Sequence, residues 1–430
     1  MITEIIRTRN FFNILLILII FVYYYTSFIN CTVSIIIPLI AVVLWFFISM
    51  FTEDINTIIF SKESKWWVFY MALCFMMTIL GISSSNINFH IASLPLYTTP
   101  IIGYYVVRNY NNKELKLLLF LLLVVYLANI IQNIMVWREL PDLFGDENES
   151  SAENYEFMRM LNIAPTAMVA TSMVVIGTMV VTIVYSKKLL YRFLSLSILL
   201  IVGFYVFIVS ARATSIVMIA FMLLGFMMAI KEPNTHKKSY YFSRYLILFC
   251  IGFGIIIPTM TFILQSIENE RLLRRFNDIF SFLQTKGNVD SMDSGSFSAR
   301  IELWGVSISS WLSNPITFVF GIGDHTVSIG EDLRKSGIGG HSEIWDLLGK
   351  YGLLGAFIFY KIFKLYHNNM VKICGNSDII KYVNFIIITY LIYGFFNHII
   401  NPIILLYTFL IFPVIIKLLV SNTNSNYSIS

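Results

Sequence analysis

Long uncharged apolar runs, separated by short polar connections, recur from one end of the chain to the other. A helix rises 1.5 Å per residue, so about 20 apolar residues cross the roughly 30 Å of bilayer hydrocarbon. On that measure the pattern predicts twelve spans, at 11–29, 31–51, 66–83, 91–107, 115–137, 163–185, 193–210, 213–230, 245–266, 343–360, 381–397 and 402–420. The alternation fails at length only once: from Ile267 to Ser342 the chain turns polar and stays so. The expected organisation is nine helices over 1–266, a large loop over 267–342, three more helices over 343–420, and a polar tail over 421–430.

Inside the loop the apolar positions take up helical spacing twice. Leu272, Phe276, Ile279, Phe280 and Leu283 form one stripe, with Arg271, Arg274 and Arg275 on other faces, the pattern of a helix lying along a membrane surface. A second helix is expected from Ser298, with Ile301, Trp304, Ile308, Trp311 and Leu312 on its apolar side and Asn314-Pro315 ending it. Gly321 and Gly323 then permit a tight turn, and a glycine-rich approach leads to His341 at the mouth of the next span.

Composition agrees with a polytopic all-α membrane protein: 57% of residues are hydrophobic and 13% charged, against roughly 25% charged in a soluble domain. Lys and Arg in the short connections set the orientation. With the N-terminus inside, Lys62, Lys65, Lys187, Lys188, Lys237 and Lys238 fall on the inner side, whereas the short outer connections hold only Arg138, Arg159 and Arg212. Both termini are then cytoplasmic and the long loop faces outward, long loops being translocated largely regardless of charge. The first apolar run lacks a small-residue cleavage site and reads as a retained span. The net charge of +5 reflects this inside bias and gives no reason to expect nucleic acid as a partner. Four cysteines (Cys31, Cys74, Cys250 and Cys374) have no metal-ligand spacing, so neither a metal nor another cofactor is expected.

The candidate chemistry gathers on the outer side. Arg212 stands at the boundary between two spans, where an arginine either snorkels to the interface or grips an anionic phosphate through two donors. Arg300 opens the second loop helix. His341 precedes a span whose first turn holds Glu343 and Asp346, and a carboxylate there could orient the ring or raise its pKa. His325 and His398 also face outward, without comparable neighbours in the sequence. Asn129, Gln132 and Asn133 fall on one face of the fifth span, a stripe that rarely faces lipid and often joins helices. Pro95, Pro100 and Pro402 fit kinks around a cavity. The outer connection from Arg138 to Asn162, rich in Asp and Glu, reads as a solvated acidic loop.

One order of features carries a resemblance. Ser210-Ala211-Arg212 lies at the outer boundary, followed by a large outer loop with Arg300 to Trp304 as Arg-x-x-x-Trp. Asn314-Pro315, Gly321-x-Gly323, and His341 ahead of a helix with Gly352-Leu-Leu-Gly355 complete the series. Over Ser210–Gly355 this resembles the superfamily of O-antigen polymerases (Wzy-type) and O-antigen ligases. Members often have Asn after the histidine, where this chain has Ser342 and then Glu343.

The resemblance implies a metal-independent glycosyltransferase on a glycosyltransferase C-like helical membrane scaffold, in a bacterial inner membrane, acting at the periplasmic face. The donor would be an oligosaccharide on undecaprenyl pyrophosphate, with membrane lipids around it and a chain-length regulator protein as a further partner. Arg212 and Arg300 would hold the pyrophosphate and His341 would act as base, these three forming the catalytic set. Arg271, Arg274, Arg275, Glu343 and His325 would bind substrate. Two alternatives stay open: a ligase passing the polymer to the lipid A core, and a transporter or flippase of the lipid-linked glycan.

Overall fold

The computed structural model describes residues 2–25, 36–50, 61–80, 97–140, 165–210, 213–229, 296–323, 327–329, 332–334, 342–375, 377–400 and 402–424. The first part of the chain forms α1 (Ile2–Tyr25), α2 (Ile36–Met50), α3 (Lys62–Leu80), α4 (Thr99–Asn109), α5 (Asn112–Glu139) and α6 (Pro165–Tyr185). Next come α7 (Leu189–Phe204), which runs into a π-helical segment (Tyr205–Ser210), and α8 (Ala213–Ala229). In the loop region lie α9 (Ser296–Trp311), α10 (Pro315–Phe320) and a small antiparallel hairpin, β1 (Val327–Ile329) with β2 (Asp332–Arg334). The chain closes with α11 (Glu343–Cys374), α12 (Ile379–Tyr393), α13 (Pro402–Leu406), a π-helical segment (Tyr407–Ile411) and α14 (Phe412–Asn424).

Among the described residues three helical stretches, Asn112–Glu139, Met168–Tyr185 and Ile404–Ser421, are long and apolar enough to cross a membrane. Their surroundings differ. The second and third are buried inside the bundle, α6 packing on α7, α8, α12 and the C-terminal helices. α5 is two-faced: Leu118, Leu122, Tyr126, Asn129 and Asn133 are buried, while Leu117, Phe120, Val124, Ile131 and Met135 are exposed. Apart from Asn129 and Asn133 both faces are apolar, which suits a helix with protein on one side and hydrocarbon on the other. Buried hydroxyls tie the inner helices together. Thr178 and Tyr407 share a hydrogen bond of 3.0 Å, and Tyr126 and Ser172 one of 3.1 Å. Such bonds satisfy polar groups where water is absent.

The helices depart from the apolar pattern in several places. Pro100 lies in the first turn of α4, where its missing N–H costs nothing, so it starts a helix and does not kink one. The span expected at 343–360 continues as helix to Cys374, because the residues beyond it keep one buried side, with Ile362, Phe363, Tyr366 and Met370 facing the bundle. The Asn129/Asn133 stripe does face inward, and Asn133 Nδ2 donates to the carbonyl and side chain of Asn129 within the same helix. The ninth expected span (245–266), the basic surface helix with Arg271, Arg274 and Arg275, and the acidic outer connection beyond Leu140 lie outside the described residues, as do Pro95, His325 and the chain end.

The second loop helix begins two residues earlier than expected, and its expected apolar positions Ile301, Trp304, Ile308 and Trp311 are partly buried. Among its described side chains Leu303 and Ser307, one turn apart, are the fully buried ones, while Leu312, just past its end, is exposed. Asn314-Pro315 does end it, and the same pair begins α10: the Asn314 side chain accepts from the backbone N–H groups of Ile316 and Thr317 in a capping box.

α10 leads straight into a glycine interlock with α11. Gly321 has φ 75° and Gly352 has φ 58° and ψ −156°, the latter breaking α11 into two helical halves. The carbonyls of Gly349 and Lys350, just before that break, accept hydrogen bonds from Ile322 N (2.9 Å) and Gly323 N (2.9 Å). A Cβ on Gly321 would lie 2.2 Å from the Lys350 carbonyl carbon, and one on Gly352 would lie 2.5 Å from that of Val319. The two backbones therefore touch, which only glycine permits.

Candidate site at the start of α11

α11 begins at a helix terminus whose free N–H groups all find acceptors. Ser342 caps it, its Oγ accepting from Trp345 N at 3.2 Å and donating to the Gly394 carbonyl at 3.2 Å. Glu343 N donates to Asn397 O and Ile344 N to Gly394 O, so the connection 394–400, between α12 and α13, lies across the start of α11.

The traffic also runs the other way. Glu343 Oε2 accepts from the backbone N–H of Ile399 (3.0 Å) and Ile400 (2.9 Å). Tyr390 on α12 donates its hydroxyl to the carbonyl of Ile399. The connection is thus pinned from both helices by its own main chain.

His398 sits in this pinned segment with Nδ1 3.6 Å from Glu343 Oε2 and Nε2 3.9 Å from Asp346 Oδ2. The two carboxylates are shielded, with side-chain exposures of 11% and 5%, while the histidine side chain is 43% exposed. Asp346 is held from the other side by Ser307 on α9, whose hydroxyl donates to Oδ1 at 2.6 Å. Burial disfavours charge on the His398 ring. The bond to Glu343 and the charges of Glu343 and Asp346 outweigh that and the opposing charge of Lys350, so the ring titrates above its ordinary value of 6.5.

α9 reaches the same place by a second contact. Trp304 packs edge-on against Phe396, ring centroids 5.6 Å apart. The helix that carries Arg300, the first turn after His341, and the connection that carries His398 therefore meet at one end of the bundle.

Of the residues singled out in the sequence, Glu343 lies at the centre of this cluster. Arg300 has its backbone on α9, one turn before Trp304. His341 immediately precedes the described start of α11, and Arg212 follows the π-helical segment that ends at Ser210; both lie outside the described residues, as do Arg271, Arg274, Arg275 and His325. The expectation that Glu343 and Asp346 act on His341 falls outside the described residues; their described histidine partner is His398, which sequence spacing left without neighbours. Among the described residues, no group of three or more His, Cys, Asp or Glu is disposed to hold a metal ion.

The chain matches no model of a known protein family and no curated protein.

Proposed function

We infer that the protein is an O-antigen polymerase: a membrane glycosyltransferase that joins oligosaccharide repeat units carried on undecaprenyl pyrophosphate, at the outer face of a bacterial inner membrane. The observation that carries the reading is the meeting of α9 and α11, through Ser307–Asp346 and Trp304–Phe396. It brings the helix that carries Arg300 and Trp304 beside the start of α11, which follows His341 in the sequence; the family resemblance rests on these two pieces of sequence.

The chemistry has consistent parts. The leaving group is a pyrophosphate that bears its own negative charge, so Arg212 and Arg300 stabilise its departure by bidentate hydrogen bonds. The acceptor is a neutral sugar hydroxyl that needs a base at the outer end of α11, the position for which the sequence offers His341. A polyprenyl tail requires the site to open sideways to lipid. In the twelve-span topology expected from the sequence, with both termini inside and 267–342 outside, the loop and the start of α11 fall together on that face.

The lipopolysaccharide banding of a deletion strain tests this reading. A polymerase deletion leaves core bearing a single repeat. Bare core with lipid-linked polymer accumulating would make the protein a ligase, and repeat units trapped on the cytoplasmic side would make it a flippase.

A further inference from the structure

We propose that His398 is the base that takes the proton from the acceptor sugar hydroxyl, with Glu343 and Asp346 as the carboxylates that orient its ring and Ser307 as the residue that positions Asp346. The proposal rests on the glycosyl-transfer reading above and moves the base role from His341 to His398.

Four observations lead there. First, the cluster is asymmetric: two shielded carboxylates stand behind a ring that is 43% exposed. An accessible imidazole backed by buried acid is the arrangement a proton acceptor needs, since only the ring has to reach substrate. Second, the ring is not needed to fix the connection in place. Glu343 already holds Ile399 and Ile400 by their N–H groups, and Tyr390 holds the Ile399 carbonyl. A purely structural residue at 398 would duplicate that work. Third, the backing carboxylates strengthen the base, because their charges favour the protonated ring. Lys350 opposes this more weakly, and among the described side chains of α9 Ser307 faces Asp346. Fourth, Trp304 on Phe396 brings the Arg300 helix against the same connection, two residues from His398. Pyrophosphate binding and proton removal thereby fall on adjoining elements.

The step balances without a metal or oxidant. The acceptor hydroxyl oxygen forms a bond to the anomeric carbon of the donor as its proton passes to a His398 ring nitrogen. The bond from the anomeric carbon to the pyrophosphate oxygen breaks, and its electron pair leaves on undecaprenyl pyrophosphate. The imidazolium is stabilised by Glu343 and Asp346 until it loses the proton to water.

The test uses the full-length protein in detergent or nanodiscs, with undecaprenyl-pyrophosphate-linked repeat units extracted from the deletion strain. If the wild-type protein makes no glycosidic bond from them, the polymerase reading itself fails. If it does, the rate should rise with pH through an inflection above about 6.5, because the base must be neutral to act. His398→Gln should lower kcat by about 10²–10⁴-fold, leave KM for the donor nearly unchanged, and abolish that inflection. Glu343→Gln keeps the base but removes a charge that favours protonation, so its inflection should move to lower pH. That measurement stands even if His398→Gln does not fold. A His398→Gln enzyme with the wild-type rate and inflection overturns the proposal. So does an inflection that Glu343→Gln leaves in place, or one that disappears only in His341→Gln.

Discussion

Ser307 and Asp346 lie on different helices, and the 2.6 Å hydrogen bond between them is a polar contact that fastens α9 to the start of α11. Both are buried, so neither can turn to water if the other is lost. Ser307 also donates weakly to the Leu303 carbonyl, which leaves Asp346 as its short, charge-assisted partner.

Ser307→Ala removes the hydroxyl and leaves Asp346 Oδ1 without that donor. Hydrogen bonds to charged groups contribute about 1.5–3 kcal/mol. Thermal unfolding of the detergent-solubilised protein should show a loss of that order. Ser307→Thr retains the hydroxyl and should recover part of it. A Ser307→Ala protein as stable as the wild type would mean that water replaces the serine.

The glycine interlock makes a contrast within one residue type. Gly321→Ala and Gly352→Ala each combine a left-handed backbone angle with overlap on facing main chain, and should leave little folded protein by size-exclusion profile. Gly375 has φ 55° but nothing within 4 Å of its added Cβ, so Gly375→Ala should cost only about 1–2 kcal/mol. Gly305, helical and exposed on α9 with open space around it, should accept alanine with a gain of about 0.5–1 kcal/mol. Equal effects at all four positions would argue against the close approach of the two backbones.

Stability should carry the signature of His398. Its folded-state value lies above the unfolded one, so the attraction to Glu343 and Asp346 is fully present below about pH 6.5 and is lost as pH rises through the folded value. The difference in melting temperature between the wild type and His398→Gln should be larger near pH 5.5 than near pH 9. An equal difference at both would mean that the ring keeps one charge state throughout.

Arg212→Ala and Arg300→Ala should each abolish or severely reduce polymer in vivo, with the protein still present in the membrane. Lysine at either position should rescue only in part, since it keeps the charge but loses the planar fork that matches phosphate. Normal polymer length in an alanine variant expressed at the wild-type level would remove that arginine from the site.

Much of the helical scaffold could be read from apolar periodicity, because spans 18 or more residues long leave little ambiguity. The stretches Asn112–Glu139, Met168–Tyr185 and Ile404–Ser421 overlap runs expected at 115–137, 163–185 and 402–420. Where packing is specified by a polar group, periodicity misleads. A contact that fastens α9 is made by Ser307, a residue that apolar spacing does not mark. Pro100 has no distinctive spacing, and only the start of α4 reveals its role.

The site was half legible. Glu343 and Asp346 announce themselves by lying together at a helix start, three residues apart. Their partner His398 comes from another helical connection, and nothing near it in sequence is charged. The fold creates that pairing by laying the 394–400 segment across the N-terminus of α11. The signal that could have found it was geometric: free N–H groups at a buried helix start must have carbonyls from somewhere, and the short 394–400 connection at the same end of the bundle was the nearest supply.

The interlock at Gly321 and Gly352 also fixes the angular indexing of α11. The main-chain bonds at Gly349 and Lys350 clamp the helix at one rotation, and Glu343 and Asp346 stand about one to two turns upstream on the same half. With 3.6 residues per turn, one residue inserted or deleted between Asp346 and Gly349 would swing the acid pair by about 100°. The carboxylates would then point away from the 394–400 connection with every side chain of the cluster still present. Length in this short stretch is therefore as strictly specified as identity, and a library tolerant of substitutions at Leu347 and Leu348 should tolerate no change in their number.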